Sequence, residues 1–221
     1  MMNVWGLVAS YLLIFVIIGI STVLQKKNIL GDEGARKFIH IGVSNWWILA
    51  MFFFTDDNAL WFAMIAPVTF IILNYLSYRL NLLKAMERGG KGNLGTVYFP
   101  ISLLILVILT FGVIENPYIG AVGILVMGYG DGLAAVIGKA YGKHKIGFGK
   151  SLEGSITMFV ASFIVTFIVS IMLAPITMAL ILALGVAALA TLIELVTPKG
   201  LDNLSVPLFA SLIFYLLFMI F

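Results

Sequence analysis

Four ionisable side chains stand inside or at the ends of strongly apolar runs in this chain: His40, Asp131, Glu194 and Asp202. A charge left in hydrocarbon costs about 2.5–3.5 kcal/mol on insertion scales, so such residues are functional candidates by default. Asp131 is the strongest. It closes the apolar run 118–129 within Gly128-Tyr129-Gly130-Asp131-Gly132. A helix running from 118 to 131 carries it roughly 20 Å into a bilayer. Positions 131, 135, 138 and 142 share one helical face and read Asp, Ala, Gly, Gly. Small residues there let a backbone or a ligand come close. The structural alternative is a glycine packing seam around a paired aspartate.

The segment that follows, Gly138 to Gly154, interleaves Lys139, Lys143, Lys145 and Lys150 with glycines. Lysine ammonium groups and open backbone N–H groups both bind phosphate oxygens. Topology signalling alone would also explain the lysines. Gly149-Lys150-Ser151 has the ending of a P-loop, but position 144 is His rather than Gly and no strand is expected before it, so that motif is rejected. Glu153, at the start of the next helix, either neutralises these cations or holds Mg²⁺, which favours one or two carboxylates plus phosphate oxygens. Further on, Pro198, Gly200 and Pro207 break the helical pattern and present Asp202 and Asn203 at a membrane boundary, with Glu194 about two turns before the break. Carboxylates converging near a lysine-rich loop form a constellation for a divalent metal and a polyphosphate. Arg36 and His40 are four residues apart, on one face of an entering helix. Arg36 with Lys37 also reads as an interface anchor, and His40 as a packing residue. The start Gly95 to Pro100 of a later span is a weaker candidate for the same site, while Asp32 and Glu33 read as solvated loop residues.

The elements that must position these groups are membrane helices. The chain is 62% hydrophobic and 10% charged, against about 25% charged in soluble domains. Spans are expected at about 4–24, 38–55, 59–78, 94–114, 116–138, 154–173, 175–196 and 204–221. That predicts an all-α polytopic integral membrane protein of about eight transmembrane helices (seven to nine), in one transmembrane domain over 1–221. The last span is the shortest, so a bent terminal helix beside seven crossings is the variant. All thirteen Lys and Arg residues fall in alternate loops, around 26–37, 79–91, 139–150 and at Lys199. Basic loops stay cytoplasmic, which puts both termini outside and the polar chemistry on the inner face. The first span lacks a basic leader, so no cleaved signal peptide is expected. There is no cysteine, hence no disulfide and no thiolate metal site. The formal charge of +3 is explained by loops beside anionic headgroups, and no nucleic-acid partner is expected.

Read together, Arg36-Lys37-x-x-His40, Gly130-Asp131-Gly-x-Ala-Ala-x-x-Gly138-Lys139-x-Tyr-Gly142, Lys150-Ser151-x-Glu153-Gly154 and Asp202-Asn203-x-x-Val-Pro207 resemble the CTP-dependent lipid kinases. That family includes dolichol and polyprenol kinases, phytol and farnesol kinases and the CTP-dependent diacylglycerol kinase. The related phosphatidate cytidylyltransferases share part of this logic, but their late motif carries histidine-glycine-glycine and then two aspartates flanking an arginine, where this chain has Lys199-Gly200-Leu201-Asp202-Asn203 with one aspartate. The resemblance implies a multi-pass enzyme of the cell membrane, with CTP as donor and Mg²⁺ as cofactor. It implies Asp131, Lys150, Glu153 and Asp202 as catalytic residues, and Asp131, Asp202 and Glu153 around the metal. It implies contacts to nucleotide and phosphate from Arg36, Lys37, His40, Gly130, Gly138, Lys139, Gly142, Lys143, Ser151 and Asn203. The acceptor would be a lipid alcohol entering from the bilayer, with Asp131 taking its proton. Self-association stays open. The alternatives are a CTP:phosphatidate cytidylyltransferase and, from another class, a small transporter.

Overall fold

The computed structural model describes residues 1–80, 94–198 and 200–220. Lys84, Arg88, Lys91 and Lys199, four of the loop cations, lie outside the described residues. Among the described residues, seven helices are long and apolar enough to cross a membrane. The polytopic all-α expectation is therefore borne out. The chain falls into two compact units, Met1–Pro117 and Tyr118–Phe221.

The first unit holds α1 (Met2–Lys26), α2 (Asp32–Ser44), α3 (Trp46–Phe53), α4 (Ala59–Leu80) and α5 (Gly95–Val107), which runs on into a wide π-helical turn over Ile108–Val113. The second expected span differs from the reading. It is split at Asn45 into two short helices, neither of membrane length. The Asn45 amide nitrogen donates to Ile41 O at 2.9 Å, so the side chain competes with the backbone ladder where the helix breaks. Asp32 and Glu33 do not lie in a loop but form the first turn of α2, where carboxylates suit the helix dipole. Trp46 and Trp47 are fully buried. Their indole N–H groups donate to Ser10 Oγ and to the Pro117 carbonyl, each at 2.8 Å.

The second unit holds α6 (Pro117–Leu125), a π-helical turn (Val126–Asp131), α7 (Gly132–Tyr141), β1 (Lys145–Gly147), β2 (Lys150–Ser151), α8 (Leu152–Ser170), α9 (Ile176–Val196) and α10 (Asp202–Ile220). The two strands pair antiparallel, with Lys145 opposite Ser151. A short strand thus does precede Gly149-Lys150-Ser151, contrary to the sequence reading. Lys150 itself lies in the paired strand rather than in a phosphate-cradling loop. The terminal helix, expected short, is a continuous run of 19 residues. The α6–π–α7 run is the most enclosed membrane-length element: 78% of its most apolar window is buried, against 44% or less in the others. It carries Asp131.

Candidate active site

Four segments of the second unit bring charge together: the π-turn, strand β2, the end of α9 and the start of α10. Asp131 is the last residue of the π-turn and is 4% exposed. Single π-turns inside α-helices recur at functional sites, because the wider winding re-aims a side chain. Lys150, on β2, donates from Nζ to Glu194 Oε1 at 2.5 Å and also to the Glu194 backbone carbonyl. Both side chains are largely enclosed, at 13% and 8% exposure. Helix α9 ends at Val196, and Pro198 follows shortly after. The backbone turns through Gly200 at φ +100, a value glycine adopts without strain. Asp202 then opens α10, and its Oδ1 accepts from Gly200 N (2.9 Å) and Asn203 N (3.0 Å). Asp131 and Asp202 both act electrostatically on the Glu194 carboxyl. Lys150 thus supplies a cation to one of the buried carboxylates of this unit, Glu194; Asp131 and Asp202 are the other two. A buried carboxylate must be paired, protonated or matched by a cation.

The remaining sequence candidates have other placements. Glu153 sits in the first turn of α8 and serves the hairpin. Its carboxylate accepts from the backbone N–H of Lys143 (3.1 Å) and of His144 (3.3 Å), and contacts His144 Nδ1 at 2.8 Å. Ser151 caps α8, with Oγ accepting from Gly154 N at 3.2 Å. Gly138 and Gly142 line a close approach between α7 and the start of α8. A Cβ on Gly138 would lie 3.2 Å from Ser151 Oγ, and one on Gly142 would collide with the Gly138 carbonyl. A Cβ on Gly130 would meet Met158 Sδ at 2.7 Å. The packing seam considered for these glycines is present, with Asp131 at its end. Lys139 lies in the last turn of α7, and the Lys143 side chain is exposed.

Arg36, Lys37 and His40 belong to α2 of the first unit. Arg36 pairs with Glu33 at 3.1 Å. Lys37 is only 3% exposed, so it is not a solvated interface anchor. His40 packs against Phe99 with the rings tilted, centroids 4.6 Å apart.

Glu194 was visible in the sequence as an acid in an apolar run, yet its role as the partner of Lys150 was not. The signal is general: an acid near the end of an apolar helix calls for a cation, and the lysine-rich hairpin was one source of it. An all-oxygen set of buried carboxylates has the chemistry Mg²⁺ prefers. Among the described residues, no three His, Asp or Glu side chains form a cation cage by themselves.

The chain is 35% identical over 212 residues to the phytol kinase of Synechocystis sp., which covers 94% of this chain and 88% of that protein. This chain belongs to the phytol kinase family. The family's members named probable phytol kinase 1, chloroplastic, in Oryza sativa subsp. japonica and phytol kinase 1, chloroplastic, in Arabidopsis thaliana are also similar. The rice protein is 33% identical over 88% of this chain and 68% of its own length. The Arabidopsis protein is 30% identical over 62% of this chain and 48% of its own. No family model matches the chain. No solved structure matches it. The resemblance read from the motifs is borne out at the level of the family: this is a multi-pass membrane protein of a kinase family.

Proposed function

We propose that this protein phosphorylates a long-chain lipid alcohol of the phytol type, with CTP as donor and Mg²⁺ as cofactor, at the cytoplasmic face of the cell membrane. The observation that carries the reading is similarity to a phytol kinase over nearly the whole chain. The buried cluster of Asp131, Lys150, Glu194 and Asp202 supplies the matching chemistry.

The reaction joins the alcohol oxygen to the terminal phosphorus of CTP and releases CDP. Such transfer depends on positioning and on neutralising charge spread over the moving phosphoryl group. Asp131 and Asp202 would hold Mg²⁺, which when bound neutralises phosphate oxygens. Lys150 would offer its ammonium group to those oxygens, and Glu194 holds that ammonium in place through its carboxylate and its backbone carbonyl. We assign the proton lost by the alcohol to Asp131, which the π-turn presents in the most enclosed helix. Lys139 and Asn203 are proposed nucleotide contacts at the margins of the cluster. The plant relatives are named as chloroplastic. The alternating basic loops support an orientation with the cluster on the cytoplasmic side, and the cell membrane is the location we propose.

The test is direct. Purified protein in mixed micelles with Mg²⁺ is offered phytol, farnesol, a polyprenol or diacylglycerol, with CTP or ATP, and the lipid product is identified by mass. A monophosphate of an isoprenoid alcohol formed from CTP is the expected result. No lipid phosphate from any combination would end the proposal.

A further inference from the structure

We infer that the hairpin Lys145–Ser151 is an interfacial wedge, whose tip Phe148 inserts into the headgroup region of the bilayer. Only residues 142–151 separate two membrane-length elements, the one ending at Tyr141 and α8 beginning at Leu152. The root of the hairpin is thereby fixed at a membrane boundary. Its arm from Lys145 to Phe148 spans roughly 10 Å at the rise of a strand. The interfacial layer on each side of the hydrocarbon is about 5–8 Å thick. A hairpin lying against the surface therefore keeps its tip within that layer.

The tip has the chemistry for this layer. Phe148 is 71% exposed and holds φ at +51, an uncommon conformation for a bulky residue. Gly147 and Gly149 flank it at φ +106 and +73, and a Cβ at either would meet nothing within 4 Å. The turn thus presents an aromatic ring that is largely exposed among the described residues. Lys143 and Lys145 are exposed nearby. Exposed Phe beside lysines is a composition found in segments that lie in the interface, and lysines favour anionic leaflets. The helix that follows the hairpin has the large exposed apolar side chains expected of a membrane helix. Leu152, Ile156, Val160, Ile164 and Ile168 recur every four residues along α8, each 44–54% exposed. The root is tied down by Glu153 on Lys143 and His144, and by the Leu152 N–H on the His144 carbonyl at 2.8 Å. A rigid root with an exposed aromatic tip is the construction of a wedge.

The rival occupant is nucleotide, with the tip acting as a cover over bound phosphates. One experiment separates the two. The chain contains no cysteine, so Phe148→Cys gives a single labelling site. The full-length variant carries an environment-sensitive fluorophore there, in vesicles of phosphatidylcholine and phosphatidylglycerol containing lipids spin-labelled near the headgroup. The expected result is blue-shifted emission, quenched several-fold by the labelled lipid and unchanged by CTP with Mg²⁺. Water-like emission without lipid quenching would overturn the proposal, and so would quenching that CTP relieves. Phe148→Ser should raise the KM for a bilayer-borne alcohol several-fold and leave the KM for nucleotide unchanged, with Phe148→Trp restoring the wild-type value. A shift in nucleotide KM alone would also overturn it.

Discussion

Removing the carboxylate from Glu194 tests how the enclosed charges depend on one another. In Glu194→Gln, Lys150 loses its 2.5 Å ionic partner but keeps the backbone carbonyl of residue 194, which Nζ also reaches. Removing one partner of a buried pair typically costs about 3–5 kcal/mol. The retained carbonyl and the 13% exposure of Lys150 place this case near the lower end, about 3 kcal/mol. Lys150→Met leaves Glu194 as an uncompensated carboxylate near Asp131 and Asp202, and should cost at least as much. The double variant Lys150→Met with Glu194→Gln removes both charges, and should recover most of that loss, since replacing a whole buried pair is often close to neutral. The two single losses together exceed the small residual loss of the double variant by about 5 kcal/mol, and that is the coupling the cycle predicts. The assay is equilibrium unfolding in mixed detergent micelles, run beside turnover. Turnover should stay low in both variants that lack Lys150, even where stability returns. Additive stability losses would refute the pairing, and full turnover in Lys150→Met would refute the role of its ammonium group.

Asp131→Asn should lower turnover by roughly 10²-fold or more, the scale of removing one preorganised electrostatic partner, while the unfolding midpoint holds; a lost midpoint would mark Asp131 as structural. Ser151→Ala should cost about 1 kcal/mol of stability as a lost helix cap and leave the nucleotide KM unchanged, both read on the purified variant. Gly142→Ala should destabilise more than Gly138→Ala in the same unfolding assay, because its Cβ would strike the Gly138 backbone carbonyl whereas that of Gly138 has 3.2 Å to a hydroxyl. Lys145→Cys should be shielded from an impermeant thiol reagent in intact cells, and labelling from outside would reverse the proposed topology.

Much of the fold was legible because length and apolarity dictate membrane helices. The seven membrane-length elements fall close to the expected spans. The exceptions have local causes. The apolar run resumes at once after Asn45, and the break in the second span is marked by the side-chain bonds of Ser44 and Asn45 to the Ile41 carbonyl. The π-turns leave no composition signal, so the phase of the helix at Asp131 could not be read from a regular period. The hairpin was hidden because Gly147-Phe148-Gly149 reads as loop, and pairing of such short strands depends on their anchored root. Within the site, Asp131 and Asp202 stood out as acids where charge is costly, and both are buried. The choice of Glu194 as partner for Lys150 links residues 44 positions apart, and no local pattern encodes it. Ser151, Gly138 and Gly142 drew attention for the right spacing, yet their visible work is capping and close packing.

The central claim is transfer of a terminal phosphoryl group from CTP to a lipid alcohol by the enclosed cluster. The most direct measurement follows label from CTP with phytol or farnesol and Mg²⁺ in micelles, using wild type and Asp131→Asn in parallel. Label in the γ-phosphate should appear in the lipid, label in the α-phosphate should remain in CDP, and neither should move with Asp131→Asn or after EDTA. Label from the α-phosphate entering lipid, with pyrophosphate released from phosphatidate, would contradict the account and assign the protein to cytidylyl transfer.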